Sequence, residues 1–180
     1  MVLEGVSMAR FRVSDGIDNY LSQLQHCADK TEDIIKRSAW EGARVVMDAV
    51  KAEANTIPIH ESNKFGGIRD GKVTGAGLDN VSGLTISQKA GVIESLGISR
   101  FREDGNFINV KIGSDGYNSI KTEKYPKGQP NAMLVRSLET GTSFRAAYPF
   151  VSRAVSKSRS KCIEAMRKQC DTEIKKYIKA

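Results

Sequence analysis

The feature that most constrains this fold is a helical period sustained through the first third of the chain. Between Ile17 and Ala54, apolar residues recur at steps of three, four and seven, with charged residues between them. This spacing places the apolar side chains on one face of an α-helix. We therefore predict one long amphipathic helix over residues 16–55, ended by Pro58. Unbroken, it would extend roughly 60 Å, which is more than a compact domain of 180 residues needs.

A second long helix is predicted at the other end of the chain. Pro149 suits the first helical turn, because its missing N–H would have no partner there. The apolar stripe that follows is Val151, Val155, Cys162, Met166, Cys170, Ile174 and Tyr177. A shorter helix is predicted just before it, over residues 132–139, with Asn131 as its cap and Gly141 as its end.

Strands and loops are predicted between these helices. Residues 8–13 alternate apolar and polar side chains, as a half-buried strand does. Residues 58–91 contain seven glycines and no sustained period, which indicates a long loop or arm. Residues 92–101 and 106–113 are rich in apolar and β-branched residues. They are separated by Arg102-Glu103-Asp104-Gly105, whose Asp-Gly turn favours a hairpin. Residues 114–131 again indicate a loop.

These elements predict an α+β fold in a single domain over residues 1–180. A small antiparallel sheet packs against two long helices, one N-terminal and one C-terminal, and a long Gly-rich arm covers residues 61–90. Ordering so many glycines carries a backbone entropy cost of about 1–2 kcal/mol per residue. We therefore expect the arm to be mobile in the free monomer and to become ordered on assembly, against a neighbouring subunit or the next ring.

Composition excludes several classes of protein. No stretch approaches the roughly 20 apolar residues that span a bilayer, and the N-terminal residues do not form a secretory signal, so we expect a cytoplasmic site of synthesis. Cys27, Cys162 and Cys170 match no disulfide or zinc spacing and are expected to be buried free thiols. The pairs His26-Cys27 and His60-Glu61 lack the further ligands that a metal site needs, so no metal is expected.

Positive charge is concentrated at the C-terminal end. The chain has a net charge of +7, and residues 149–180 contain nine Lys/Arg against three Asp/Glu. Such a segment can face an acidic partner, DNA or water. Its basic residues spread over much of the predicted helix, and Tyr177 is the only aromatic residue after Phe150, which gives little support for base stacking. Nucleic-acid binding remains the alternative hypothesis.

No motif predicts catalysis or a cofactor. Residues 66–73 have the Gly-x4-Gly-Lys spacing of a phosphate-binding loop, but Val73 replaces the magnesium-binding hydroxyl and no helix pattern follows. Glu32 and Asp33 are neighbours on a helix and do not face each other. Trp40 is interpreted as a core or subunit contact. A small enzyme is therefore the third and weakest hypothesis, and we expect no catalytic, cofactor-binding or metal-binding residues.

One stretch has a more specific pattern. Leu138-Glu139-Thr140-Gly141-Thr142 is followed by Tyr148-Pro149-Phe150-Val151-Ser152-Arg153-Ala154 and then by the basic amphipathic helix. This resembles the tail-completion and head–tail joining proteins of long-tailed phages, a family related to the minor tail protein Z type, and the order of elements is similar over nearly the whole chain. The chain departs from that pattern at Thr140, where the family often has an aromatic residue, and at Arg153, where it has a second proline.

The resemblance implies a structural virion protein of the tail or neck, assembled in the cytoplasm of a bacterial host. It would form a homo-oligomeric ring, as a hexamer, at the head-proximal end of the tail. Its partners would be the tail tube or tail terminator protein and the head–tail connector, with DNA at most passing through the lumen and no membrane involved. The signature residues are expected to be structural: Glu139, Gly141, Thr142, Pro149, Phe150 and Ala154.

Overall fold

The computed structural model describes residues 13–59, 67–69, 72–74, 83–105, 107–121, 123–142 and 145–178. In these ranges the helices are α1 (Val13–Asp29), α2 (Thr31–Asn55), α3 (Ile86–Ser95), α4 (Asn131–Thr140) and α5 (Phe150–Ile174). The strands are β1 (Gly67–Arg69), β2 (Lys72–Thr74), β3 (Leu96–Ile98), β4 (Arg102–Asp104), β5 (Phe107–Asn109) and β6 (Ile112–Ser114). The predicted α+β class is confirmed. The strands form separate antiparallel pairs, β1 with β2, β3 with β6 and β4 with β5, rather than one continuous sheet.

The two long helices, α2 and α5, form an antiparallel pair. Glu53 near the end of α2 contacts Arg153 near the start of α5, and Arg37 near the start of α2 contacts Glu173 near the end of α5. The helices approach closely at Gly42, where a Cβ atom would lie 2.5 Å from Cγ of Met166. A side chain at this position would therefore require the side chain of Met166 to move.

The predicted single helix over residues 16–55 is divided into two. Lys30, with φ −101° and ψ 6°, separates α1 from α2, although Ile34 N–H still donates to Lys30 O at 3.1 Å. The first helix begins at Val13, which the sequence placed at the end of a strand over residues 8–13; residues 8–12 lie outside the described residues. No glycine or proline marks the break, so nothing in the local sequence predicts it.

Three side-chain contacts satisfy the carbonyl groups at the end of α2. Lys89 Nζ donates to Asn55 O and to Ile57 O, each at 2.8 Å. Tyr148 Oη donates to Thr56 O at 2.9 Å. Helix ends leave unpaired carbonyls that need such partners, and here α3 and the segment before α5 supply them. The end of α2 is therefore fixed to both of these segments.

The hydrophobic core lies at this same end of the helix pair. Ile57, Val92, Leu138 and Phe150 are almost fully excluded from solvent. They come from the residues after α2 and from α3, α4 and α5, and β3 and β6 add Leu96, Ile98 and Ile112. Burial of this apolar surface is the main favourable contribution to the fold. Among the described residues, those at the opposite end of the pair, where α1 meets α2, do not belong to this cluster.

Backbone hydrogen bonding brings together the two chain segments that flank the first part of the predicted Gly-rich arm. Leu84 N–H donates to Pro58 O at 3.0 Å, and Ile59 forms a parallel bridge with Leu84. Within the arm, β1 and β2 pair, with Arg69 opposite Lys72. Lys72 and Val73 of the phosphate-loop pattern therefore lie on a strand and not at the start of a helix. Residues 60–66, 70–71 and 75–82 lie outside the described residues, so the ordering of the arm on assembly stays a prediction.

The prediction of a loop to residue 91 and a strand over residues 92–101 was wrong. Residues 86–95 form α3, and only residues 96–98 continue as β3. Thr85 caps α3 through a reciprocal capping box, in which Gln88 N–H donates to Thr85 Oγ1 and Thr85 N–H donates to Gln88 Oε1, each at 3.2 Å. Two backbone donors are satisfied in this way, which fixes the start of the helix. A hairpin is present at the Asp-Gly turn as β4 and β5, but β4 consists of residues 102–104, which were predicted to belong to the turn. Residues 96–98 of the predicted first strand pair instead with residues 112–114.

The remaining predictions differ from the structure by single residues. The short helix α4 is present, but Asn131 is its first residue and Pro130 occupies the N-cap position. The side chain of Asn131 donates instead to Asp115 O at 3.2 Å. Pro149 occupies the N-cap position of α5. The cysteines are free, as expected, but Cys27, Cys162 and Cys170 are half-buried and not fully buried.

Candidate functional site: the α4–α5 junction and the exposed helix faces

The junction between α4 and α5 contains all six residues of the sequence signature. Glu139, on the last turn of α4, accepts hydrogen bonds from Val151 N–H at 2.5 Å and from Ser152 Oγ at 2.8 Å. Val151 and Ser152 lie in the first turn of α5, whose N–H groups have no partner within the helix. The helix dipole also favours a negative charge at this end. Glu139 therefore caps α5 from a different helix.

The chain reverses direction between these helices at Gly141. This residue has φ +72° and ψ 174°, a conformation that is almost restricted to glycine. A Cβ atom at Gly141 would lie 3.1 Å from Ala147 N and 3.2 Å from Arg145 O. The next residue, Thr142, exchanges backbone hydrogen bonds with Arg145, at 2.9 and 3.3 Å. The turn brings Tyr148 N–H within 2.6 Å of Leu138 O and aligns the start of α5 with the end of α4.

The other signature residues anchor α5 in the core. Phe150 and Ala154 are fully buried, one turn apart on α5. Pro149 precedes them at the N-cap position, where its missing N–H removes no helical hydrogen bond. The signature is thus one structural unit, consisting of a cap, a turn and a buried anchor.

The two departures from the family pattern have local explanations. The guanidinium of Arg153 lies 4.2 Å from the ring centroid of Tyr148 and donates to Glu53 at 3.3 Å. Its backbone N–H donates to Pro149 O at 3.1 Å, a bond that a proline at this position would lose. Thr140 is exposed, and its hydroxyl donates to Arg136 O at 3.0 Å.

We predict that the Glu139 cap contributes measurably to stability. Glu139→Gln removes the charge but keeps an acceptor oxygen, so the free energy of unfolding is expected to fall by about 1 kcal/mol. Urea unfolding followed by circular dichroism measures this change. Glu123→Gln, at an exposed position with no hydrogen bond in the described residues, is the matched control and is expected to change nothing. Equal effects of the two substitutions would contradict the capping role.

Two carboxylates join α2 to α5. Glu53 accepts hydrogen bonds from Lys157 and Arg153, and these contacts lower the pKa of its carboxyl group, the Lys157 hydrogen bond most strongly. The buried carboxylate of Glu173 contacts Lys176 at 2.6 Å and Arg37 at 3.0 Å. Lys176 contributes most to lowering the pKa of Glu173 below its ordinary value of 4.5. Both ends of the helix pair are therefore joined by charge-assisted hydrogen bonds.

These lowered pKa values predict loss of stability in acid. A carboxyl group with a lower pKa in the folded state stabilises the fold above its unfolded pKa, and this contribution is lost as the pH falls through the folded value. We expect the free energy of unfolding to decrease as the pH falls below 4.5. Glu173→Gln is expected to make that decrease shallower in urea unfolding at a series of pH values. An unchanged pH dependence in the variant would contradict the assignment.

The basic residues of α5 fall into two groups. Arg153, Lys157 and Lys176 are paired with carboxylates of the same chain. Five others are exposed and form no ion pair in the described residues: Arg159, Lys161, Arg167, Lys168 and Lys175. At 100° per residue, Lys161, Lys168 and Lys175 align on one side of the helix because they are seven residues apart. Lys179 lies outside the described residues.

A different side of α5 carries exposed apolar side chains. Val155 and Ile163 are 46% and 44% exposed, and they alternate with Arg159 and Arg167 along a row with a spacing of four residues. We name these four residues the α5 row. Side chains spaced in this way form a continuous ridge on a helix surface.

The first helix extends beyond the hydrophobic core. His26 contacts the ring of Tyr177 just past the end of α5, with 5.3 Å between ring centroids, and Ile17 lies nine residues or about 14 Å further along α1. On the side of α1 nearly opposite His26 is an apolar stripe with helical spacing, most of it more than half exposed. We name it the α1 stripe: Ile17, Tyr20, Leu21 and Leu24.

The other candidate sites gain no support from the described residues. No group of three or more His, Cys, Asp or Glu side chains there could hold a metal ion, and His60 lies outside this set. Among the helices described, none is long and apolar enough to cross a membrane. Trp40 is 40% exposed and contacts Phe101, with 6.1 Å between ring centroids.

Comparison with known proteins assigns no relative. No protein-family model matches the chain, and neither the curated proteins nor the solved structures contain a match.

Sequence reasoning missed two features of the site. The capping contact of Glu139 depends on how α4 and α5 meet, which local sequence does not encode. The burial of Arg145, which is only 4% exposed, has no sequence signal.

Proposed function

We propose that this protein is a structural virion protein that forms a homo-oligomeric ring at the head-proximal end of a phage or phage-like tail. In this position it completes the tail and joins it to the connector. The observation that carries the proposal is the α4–α5 junction, because the residues of the tail-completion signature have mutually dependent structural roles there. Glu139 caps α5, Gly141 allows the reversal, and Phe150 anchors the helix.

The uncovered helix faces support self-association. Exposed apolar patches on otherwise polar surfaces are typical of protein interfaces. The α1 stripe has the spacing of a helix that packs into a groove or against another helix. It lies beyond the core of its own subunit, so a second copy of the chain can reach it without displacing any contact described here.

Charge favours the α5 row of a neighbouring copy as the partner of the α1 stripe. The sequence of α1 contains three aspartates and no lysine or arginine, whereas the α5 row contains Arg159 and Arg167. Asp18 lies beside the stripe, three residues before Leu21. Pairing of α1 with α1 would bring two copies of this carboxylate together, whereas pairing with the α5 row would bring it near an arginine and would also match apolar side chains. A contact between two different surfaces repeats from copy to copy and closes into a ring when the rotation allows.

Charge and apolar substitutions test this surface by native mass spectrometry. Leu21→Glu and Ile163→Glu are each expected to convert the ring into monomers, since each places a carboxylate in the apolar contact. Phe107→Glu, at a side chain that is 77% exposed on β5, is the control and is expected to leave the ring intact. Rings that persist in both Leu21→Glu and Ile163→Glu would contradict the α1–α5 contact but not the proposal that the protein forms a ring.

Electron microscopy tests the location of the protein. An antibody raised against the purified protein and labelled with gold is expected to mark virions or tail-like particles where the tail meets the connector. The tail tube or tail terminator protein and the connector protein would then be its direct neighbours. Labelling confined to the distal tip, or particles that contain none of the protein, would contradict the proposal.

Nucleic-acid binding is the second candidate, and the unpaired lysines of α5 favour it. Lys161, Lys168 and Lys175 form a stripe along one side of α5, which can follow a phosphate backbone. Affinity for DNA from this stripe is expected to fall steeply with salt through counterion release, whereas a ring held by apolar contacts is expected to persist. Titration of labelled duplex DNA at several salt concentrations separates the two functions. Lys161→Glu with Lys168→Glu is expected to abolish binding only if the stripe carries it.

A further inference from the structure

Arg145 is a buried charge that has no partner of opposite charge in the part of the chain that the structure describes. Its side chain is 4% exposed, and Nη1 donates to the neutral hydroxyl of Ser137 at 2.8 Å. The buried Nε has no hydrogen-bond partner among the described residues. No carboxylate in this part of the structure forms an ion pair with Arg145, and the nearby Glu139 is bonded to the start of α5.

This arrangement is costly for the isolated chain. Burial lowers the pKa of Arg145, because it disfavours the charged form of the guanidinium. A guanidinium has five N–H donors and no acceptor, so a single hydroxyl leaves most of its hydrogen-bonding capacity unused. Buried charges in proteins are usually paired, and an unpaired one destabilises the fold.

A cavity of about 340 Å³ adjoins Arg145. Met133 and Leu134 supply apolar walls, and Gln88, Gln129, Ser137 and Thr142 supply neutral polar groups. Among the described residues of the lining, Arg145 is the only charged one, so the cavity matches a ligand with a single negative charge. The planar guanidinium fits a carboxylate through paired hydrogen bonds, whereas a doubly charged phosphate would need further cations.

We propose that this cavity binds a carboxylate group carried on a short aliphatic stem, with Arg145 as the residue that pairs with it. The stem packs against Met133 and Leu134 while the carboxylate reaches the free donors of the guanidinium. The carboxylate can belong to a free carboxylic acid or to the C-terminus of a polypeptide. The site does not depend on the ring, since every residue that lines it belongs to one subunit.

The direct test observes the Arg145 side chain in the wild-type protein by ¹H–¹⁵N NMR of its Nε–H group. The probes are sodium butyrate, an N-acetylated Ala-Leu dipeptide with a free carboxylate, the same dipeptide as its amide, and inorganic phosphate. Arg44, which is exposed and paired with Glu41, is the reference arginine. We expect butyrate and the free dipeptide to shift the Arg145 resonance saturably while the Arg44 resonance stays fixed.

The two sources of the carboxylate give different outcomes. Saturation by the free dipeptide at a lower concentration than butyrate would assign the site to a polypeptide, and the reverse order would assign it to a free acid. The amide and phosphate are expected to produce no saturable shift. The absence of any saturable shift, or equal shifts with phosphate or the amide, would overturn the proposal.

A stability measurement gives an independent test. Arg145→Met keeps the approximate volume of the side chain and removes the unpaired charge, so the ligand-free variant is expected to unfold at the same or a higher urea concentration than wild type. Butyrate is expected to raise the unfolding midpoint of the wild-type protein but not that of the variant. A lower midpoint in the ligand-free variant would show that Arg145 stabilises the free fold, and would overturn the proposal.

Discussion

Phe150→Ala is expected to lower the free energy of unfolding by about 3–5 kcal/mol. The ring is fully excluded from solvent at the start of α5, in the same cluster as Val92, Leu138 and Ile57. Truncation removes the apolar area of the ring and leaves a cavity that the surrounding helices can fill only in part. Because this cluster lies where α2 ends and α5 begins, the loss affects both long helices.

Chemical denaturation with matched phenylalanines measures this effect. Phe107→Ala, on β5, removes the same group from a side chain that is 77% exposed, and is expected to change stability by no more than about 0.5 kcal/mol. Urea midpoints for both variants and wild type provide the comparison. A Phe150→Ala variant as stable as Phe107→Ala would mean that the α4–α5 junction does not anchor the core as described.

Gly141→Ala is expected to cost about 2 kcal/mol. Its backbone has φ +72° and ψ 174°, and an added Cβ atom would lie 3.1 Å from the backbone nitrogen of Ala147 and 3.2 Å from the carbonyl oxygen of Arg145. An alanine at position 141 would therefore either adopt a strained backbone conformation or force the turn to open. An opened turn would also displace Glu139 from the first N–H groups of α5.

A second glycine provides the control for this substitution. Gly113→Ala, on β6, adds a Cβ atom with no heavy atom within 4 Å, and its φ lies outside the left-handed region. It is expected to be neutral or slightly stabilising, since alanine restricts the unfolded chain. If thermal or urea unfolding shows equal effects at both positions, the conformation of Gly141 is not a constraint on the fold.

The periodic parts of the fold could be predicted from the sequence. The apolar stripe after Pro149 predicted α5. The residues between Asn131 and Gly141 predicted α4, with bounds that differ from the structure by one residue at each end. These predictions succeeded because one face of each helix is buried and the other is polar. Apolar residues therefore recur in the sequence with the helical period of 3.6 residues. The α+β class followed from the same helices together with the Asp-Gly hairpin.

The sequence also contained a signal for α3 that was not used. Thr85 and Gln88 have the spacing of a capping box, and both of its hydrogen bonds form. The β-branched residues Val92 and Ile93 favoured a strand instead, but burial against α2 and α4 outweighs that preference. Such tertiary packing regularly overrides local propensity.

The features that could not be predicted depend on long-range contacts. The break at Lys30 lies between residues that would all be acceptable in a helix, so local propensity does not predict it. The capping contact of Glu139 and the burial of Arg145 each require α4, the turn and α5 to be already in place. The signature identified Glu139 as important without indicating that it caps α5.

The most direct test of the account is the native mass of the purified full-length protein. We predict one dominant closed oligomer, at six times the subunit mass of 19.7 kDa, whose mass does not increase with concentration. In a closed ring every α1 stripe is bound to an α5 row of a neighbouring copy, so no surface is left to add a further subunit. A protein that stays monomeric at every concentration, or that forms an open-ended series of masses, would contradict the ring and with it the proposed function.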